Sequence, residues 1–136
     1  MFKLDKRLEN DTLLIKELEN LQVRLMNANE FFWIVLIPKK PSLVELSDLN
    51  LNERNYLMNF AIELGKFIKS SENYDKINIG ILGNVVSQLH VHVVLRKIND
   101  VSWPGSVWGK EYTNLNKKTQ QRRAKLICQF TSLNDS

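Results

Sequence analysis

Cysteine, histidine, proline and glycine are all scarce in this 136-residue sequence: one, two, three and five residues respectively. A single cysteine, Cys128, excludes an internal disulfide and fits a reducing compartment. No apolar run is long enough to cross a bilayer, so no membrane partner is expected. The opening Met1-Phe2-Lys3-Leu4-Asp5-Lys6-Arg7 leads into no apolar segment, so no secretory signal is expected and the chain reads as cytoplasmic. No repeat, low-complexity tract or linker interrupts it, and one domain over residues 1–136 is expected. Neither sign of charge dominates. Nineteen Lys and Arg against fifteen Asp and Glu leave a formal net charge of +4, which favours anionic ligands without demanding nucleic acid. No strand pattern interleaves aromatic and basic residues, which argues against single-stranded nucleic acid.

What is present is enough apolar residue, 43%, for a sizeable core. Both histidines fall in Ser87-Gln88-Leu89-His90-Val91-His92-Val93-Val94-Leu95-Arg96. Alternation with aliphatic residues predicts a β-strand over about 88–96. Side chains two apart on a strand share a face, roughly 7 Å apart. Gln88, His90 and His92 therefore line one face, while Leu89, Val91 and Val93 feed a core. Imidazole suits nucleophilic or acid–base work near pH 7. A buried structural histidine is the plain alternative. A His-x-His metal site is another, but it needs further ligands, and with no third histidine these would have to include Asp or Glu. No metal and no cofactor are expected.

In chain order, Asp11-Thr12 offers a cap for a short helix through Leu18. Gln22 to Met26 and Phe31 to Ile37 predict an antiparallel strand pair around a turn at Asn27-Ala28-Asn29-Glu30. Pro38 ends the second strand. Leu57, Phe60, Ala61, Leu64, Phe67 and Ile68 recur at helical spacing and predict a helix over Asn52 to Ser70 with one core face. Lys76 to Leu82 predicts a strand, and Gly83-Asn84 a turn into Val85-Val86-Ser87 and the histidine strand. Trp103-Pro104-Gly105-Ser106-Val107-Trp108-Gly109 reads as a rigid loop whose tryptophans pack over the core edge. The stretch from Asn116 to Leu133 predicts a helical tail with Lys117, Lys118, Arg122, Arg123 and Lys125, either a solvated face or an anion-binding one. The mixture of periods makes the class α+β with a mostly antiparallel sheet.

Gln88-Leu89-His90-Val91-His92-Val93-Val94 resembles the signature of the histidine-triad (HIT) superfamily, three histidines alternating with hydrophobic residues and two more hydrophobics. Gln88 stands at the first position, and His90 and His92 match the second and third. The likeness extends from about Gln22 to Gly109. With glutamine first and Trp-Pro-Gly-x-Val-Trp-Gly after the strand, the chain looks like a bacterial branch described as diadenosine-polyphosphate-hydrolase-like. The resemblance implies a HIT-like fold: a five-stranded sheet with a long central helix and a C-terminal helix. It implies nucleotidyl transfer or hydrolysis on a small nucleotide, with His90 as nucleophile and a nucleotidyl-histidine intermediate. Gln88, His92, Asn84 and the backbone from Gly83 to Ser87 are then candidates for meeting phosphate charge. Asn78 matches a family asparagine near the nucleophile, and Asn27 falls where the family places an acidic residue on the ribose. The resemblance also implies a homodimer and no metal. Two positions depart from it: Gln88 cannot titrate, and Val85 replaces a serine found in some members. A nucleotide-binding dimer with little turnover is the alternative reading, and an adaptor using the basic tail a third.

Overall fold

Phe32–Pro38 (β3) and Val91–Arg96 (β5) are buried along their whole length and pair antiparallel at the centre of the molecule. The computed structural model describes residues 1–134; residues 135 and 136, the end of the expected single domain, lie outside the described residues. Thr12–Glu17 (β1), Leu21–Met26 (β2) and Lys76–Gly80 (β4) complete a five-stranded sheet in the order β1-β2-β3-β5-β4. Every neighbouring pair is antiparallel. The α+β class and the five-stranded sheet expected from the sequence are what the chain forms.

The period-two pattern sends Val23, Leu25, Ile34, Leu36, Val91, Val93 and Leu95 to one face of the sheet. There they meet Leu57, Ala61, Leu64 and Ile68 of the long helix Leu51–Ser71 (α2). Ile127 and Phe130 of the helix Lys117–Asn134 (α3) join the same cluster. Asn50 and Glu53 form a reciprocal capping box at the start of α2, at 2.8 and 2.9 Å. Asn116 Oδ1 accepts from Thr119 N at 2.8 Å at the start of α3. The opposite face carries Trp33, Val35, Ile37 and Val94, covered by Leu8, Phe31 and Val107. Phe2 and Leu4 of the N-terminal segment and Trp108 of the loop after β5 pack onto it as well.

Three local expectations differ from the fold. The helix expected from Asp11 to Leu18 is strand β1; the helix lies before it, over Lys6–Asp11 (α1), with Asp5 as its cap. Pairing with β2 outweighs the capping pattern at Asp11-Thr12, and a register shift between Leu14 and Lys16 blurs the strand's alternation in sequence. The strand expected from Lys76 to Leu82 stops at Gly80; the two-strand unit does form, β4 pairing antiparallel with β5, but the connection through Gly83-Asn84 is the longer stretch from Ile81 to His90, which has no strand structure. The histidine strand therefore begins at Val91, not at Gln88.

The basic tail is not a uniform solvated face. Arg123 is buried and donates to the carbonyls of Ala28, Asn29 and Phe31 at 3.0, 2.8 and 2.6 Å, so α3 grips the turn between β2 and β3. Arg122 pairs with Glu72 at the end of α2.

At Gly65 α2 packs closely against the sheet. A Cβ there would stand 3.1 Å from Ile77 Cγ2 and 3.3 Å from Val93 Cγ1. Gly65→Val is expected to destabilise the fold by about 1–3 kcal/mol through overpacking, measured by urea unfolding.

Candidate active site

The two histidines stand where β5 begins. His92 lies within the strand, opposite Val35 on one side and Gly80 on the other. His90 precedes the strand, yet its ring meets that of His92 edge-on at 4.8 Å between centroids. Both side chains are nearly buried, 7% and 6% exposed.

Each ring has a fixed partner. His90 Nδ1 lies 2.6 Å from the backbone carbonyl oxygen of Gln88. A carbonyl only accepts, so Nδ1 carries the proton and the neutral ring keeps its lone pair on Nε2. His92 Nδ1 lies 3.0 Å from Trp33 Nε1. An indole N–H only donates, so His92 Nδ1 accepts and its own proton sits on Nε2. The two neighbouring rings are thus held in opposite tautomers. Burial, with His90 beside it, pushes the His92 pKa from 6.5 to about 3. His92 is therefore a neutral donor throughout the physiological range.

Trp33 was not among the residues singled out in sequence. In the β-prone run Phe31 to Ile37 it looks like one more large apolar residue. Trp108 completes the aromatic wall, edge-on to both Trp33 (6.2 Å) and His92 (5.5 Å). Its ring occupies the space beside Gly80, where a Cβ would stand 2.8 Å from Trp108 Cη2. Only a glycine leaves room there. Trp103 packs elsewhere, over the Arg96 guanidinium at 5.5 Å.

Gly83, Ser87, Gln88 and His90 line a small cavity of about 30 Å³, the turn and nucleophile expected to face one anion. Asn84 is exposed and is not among the residues that line it. The Gln88 side chain turns away to the N-terminal segment: Oε1 accepts from Asp5 N at 2.8 Å and Nε2 donates to Lys3 O at 3.0 Å. Its expected place on a shared strand face with the histidines is not the one it takes.

The two outlying asparagines are not brought to His90. Asn78 Oδ1 accepts from Arg96 Nη1 at 2.9 Å, in a buried cluster where Arg96 also binds Asp100 through Nε and Nη2 at 2.8 and 2.9 Å. Asn27 donates to Asn114 Oδ1 at 3.0 Å and accepts from Leu115 N at 2.8 Å. Extended past their last pairs, Leu25 with Ile34 and Leu36 with Val91, the registers put Asn27 level with Phe32 and His90 level with Ile37. That separates them by five residues, roughly 16 Å along the strand direction. Both amides are struts. Among the described residues, no group of three His, Cys, Asp or Glu could hold a metal ion.

A His-x-His pair with fixed and opposite tautomers thus stands at the entry to β5, beside the turn from Gly83 to Ser87, on a five-stranded sheet backed by a long helix. The HIT domain family matches residues 7–99, and the chain belongs to it. The chain is similar to the crystal structure of a histidine-triad protein from Sinorhizobium meliloti, with 35% identity over 95% of this chain and 96% of that one, TM-score 0.90. A histidine-triad protein from Marinobacter aquaeolei gives 30% identity over 98% of each chain, TM-score 0.92. A Plasmodium falciparum diadenosine triphosphate hydrolase shares the fold, at 21% identity over 100% and 84%, TM-score 0.58. Among curated proteins, none matches the chain.

The His92 environment has a testable pH signature. Folded His92 declines a proton that the unfolded chain accepts from about pH 6.5 downward. Its contribution to stability is complete above that pH and is lost as pH falls toward its folded pKa of about 3. Nitrogen NMR should find His92 neutral and protonated on Nε2 from about pH 8 to pH 5. A titration of this ring near neutrality contradicts the assignment.

Proposed function

We propose that this protein is a nucleotidyl hydrolase or transferase working through a covalent intermediate on His90. The observation that carries the reading is the hydrogen bond from His90 Nδ1 to the Gln88 carbonyl, which leaves Nε2 as a nucleophile. Nε2 attacks the α-phosphorus of a nucleotide. The bond from phosphorus to the leaving group breaks and its electron pair departs with that group. Water then attacks phosphorus, the P–N bond breaks, Nε2 recovers its lone pair and the water's proton passes to solvent. His92 Nε2–H donates to a non-bridging oxygen as charge builds there. Backbone N–H groups of the turn from Gly83 to Ser87 add to that stabilisation. That a diadenosine triphosphate hydrolase has the same fold supports this substrate class.

One observation favours the quieter alternative, a nucleotide-binding module with little turnover: the first triad position is a glutamine whose amide is engaged with the N-terminal backbone. In either reading the protein acts as a homodimer in the cytoplasm. Support for a second copy comes from the edge of β4, which among the described residues pairs with β5 alone and carries the exposed Ile79. Light scattering at micromolar concentration should return twice the chain mass, and a monomer rejects the dimer.

His90→Ala is expected to abolish turnover while nucleotide binding persists. His92→Ala should slow turnover by about a hundredfold, the usual effect of losing one preorganised donor. Single-turnover trapping with radiolabelled nucleotide and peptide mapping tests the intermediate. Label on another residue, or full turnover by His90→Ala, rejects the mechanism.

A further inference from the structure

The histidine face is closed to a ligand as large as a nucleotide. The cavity that His90 lines holds about 30 Å³, whereas small-ligand sites take about 300 Å³ or more. Both imidazoles are nearly buried. A nucleotide therefore reaches His90 only after part of the protein has moved.

Residues 2–5 are a lightly held part of the cover. They form neither helix nor strand. Phe2 and Leu4 pack against the cluster that contains Trp33, Val35, Ile37 and Val94, on the sheet face that carries both histidines. Each is only partly buried, and Lys3 and Asp5, which alternate with them, are exposed. The chain is next anchored at Leu8, the buried residue of α1.

Beyond the helix that Asp5 caps, two hydrogen bonds tie this stretch down among the described residues, and the Gln88 side chain makes both. Asp5 N donates to Oε1 at 2.8 Å, and Nε2 donates to Lys3 O at 3.0 Å. One amide thus bridges the two peptide groups that flank Leu4. Both bonds lie at the surface, where water competes for each partner, so breaking them costs little. The carbonyl of the same residue accepts from His90 Nδ1 at 2.6 Å, which sets the tie directly beside the nucleophile.

We propose that residues 2–5 are a strap across the histidine face, that the Gln88 side chain is its latch, and that a nucleotide enters when the latch opens. Gln88 is then a positioning residue that acts through the strap. The choice of ligand rests on the nucleotidyl-transfer reading given above; the strap is tested without it.

Diethyl pyrocarbonate, which acylates unprotonated imidazole, reports access to His90 with no nucleotide present. Peptide mapping should find His90 acylated about tenfold faster in Gln88→Met, which keeps the side chain's bulk and loses both bonds. Leu4→Ser loosens the strap at its apolar contact, leaves Gln88 in place and should do the same. Amide exchange within α2 should stay native, which separates release of the strap from unfolding. Native acylation rates in both variants, or acceleration matched in both by faster exchange in α2, overturn the proposal. Linkage supplies a second measurement. A ligand that binds only with the strap released must itself release it. Saturating AMP should therefore speed exchange of the Asp5 amide in the native protein, and Gln88→Met should bind AMP about tenfold more tightly. AMP that protects the Asp5 amide, or that binds equally well once the latch is removed, overturns the gate. If AMP binds neither protein the nucleotide reading fails, and the acylation rates still decide the strap.

Discussion

Burial of the β3–β5 pair on both faces is the constraint on which the rest of the molecule depends. The α2 and α3 helices close one face, while the N-terminal segment and the loop after β5 close the other. Every polar atom placed on this pair has lost water and must find a partner inside the protein. His92 finds Trp33, His90 finds a carbonyl, and Arg96 finds Asp100 and Asn78. The two histidines are thus core residues first. Their tautomers follow from the solutions the core adopts for its own polar groups.

The parts of the fold set by period were legible in sequence. The stripe from Leu57 to Ile68 gave a helix within a residue or so of its real ends, and the alternation from Val91 onward gave the histidine strand. What was not legible depended on partners distant in the chain. Asp11-Thr12 has the chemistry of a helix start, but β2 was available to pair with the residues that follow. Gln88, Leu89 and His90 continue the alternation in letters, yet the backbone between β4 and β5 is drawn off by other contacts, such as Leu89 N to Leu43 O.

The site was half legible for the same reason. His90, His92, Gly83 and Ser87 converge because they are close in sequence. Asn78 and Asn27 have side chains that suit a ligand, but an amide also braces a buried arginine or a chain crossing, and here both do so. Trp33 carried no signal of its own. Its role depends on the register that places β3 beside β5, and a tryptophan in an apolar run otherwise predicts only bulk. Arg123 is the converse: it belongs to a charge run that suggests solvent, and tertiary contact turns it inward.

The contact between His90 and residue 88 uses that residue's main chain, while its side chain serves the N-terminal segment. Every amino acid brings the same carbonyl to that place. The position of the His90 proton is therefore independent of which residue type occupies the first position of the triad. The pattern of three histidines, read as letters, makes the first position look like a chemical partner of the second; in this chain it is a point of backbone geometry, and its side chain is free to be recruited for a different task.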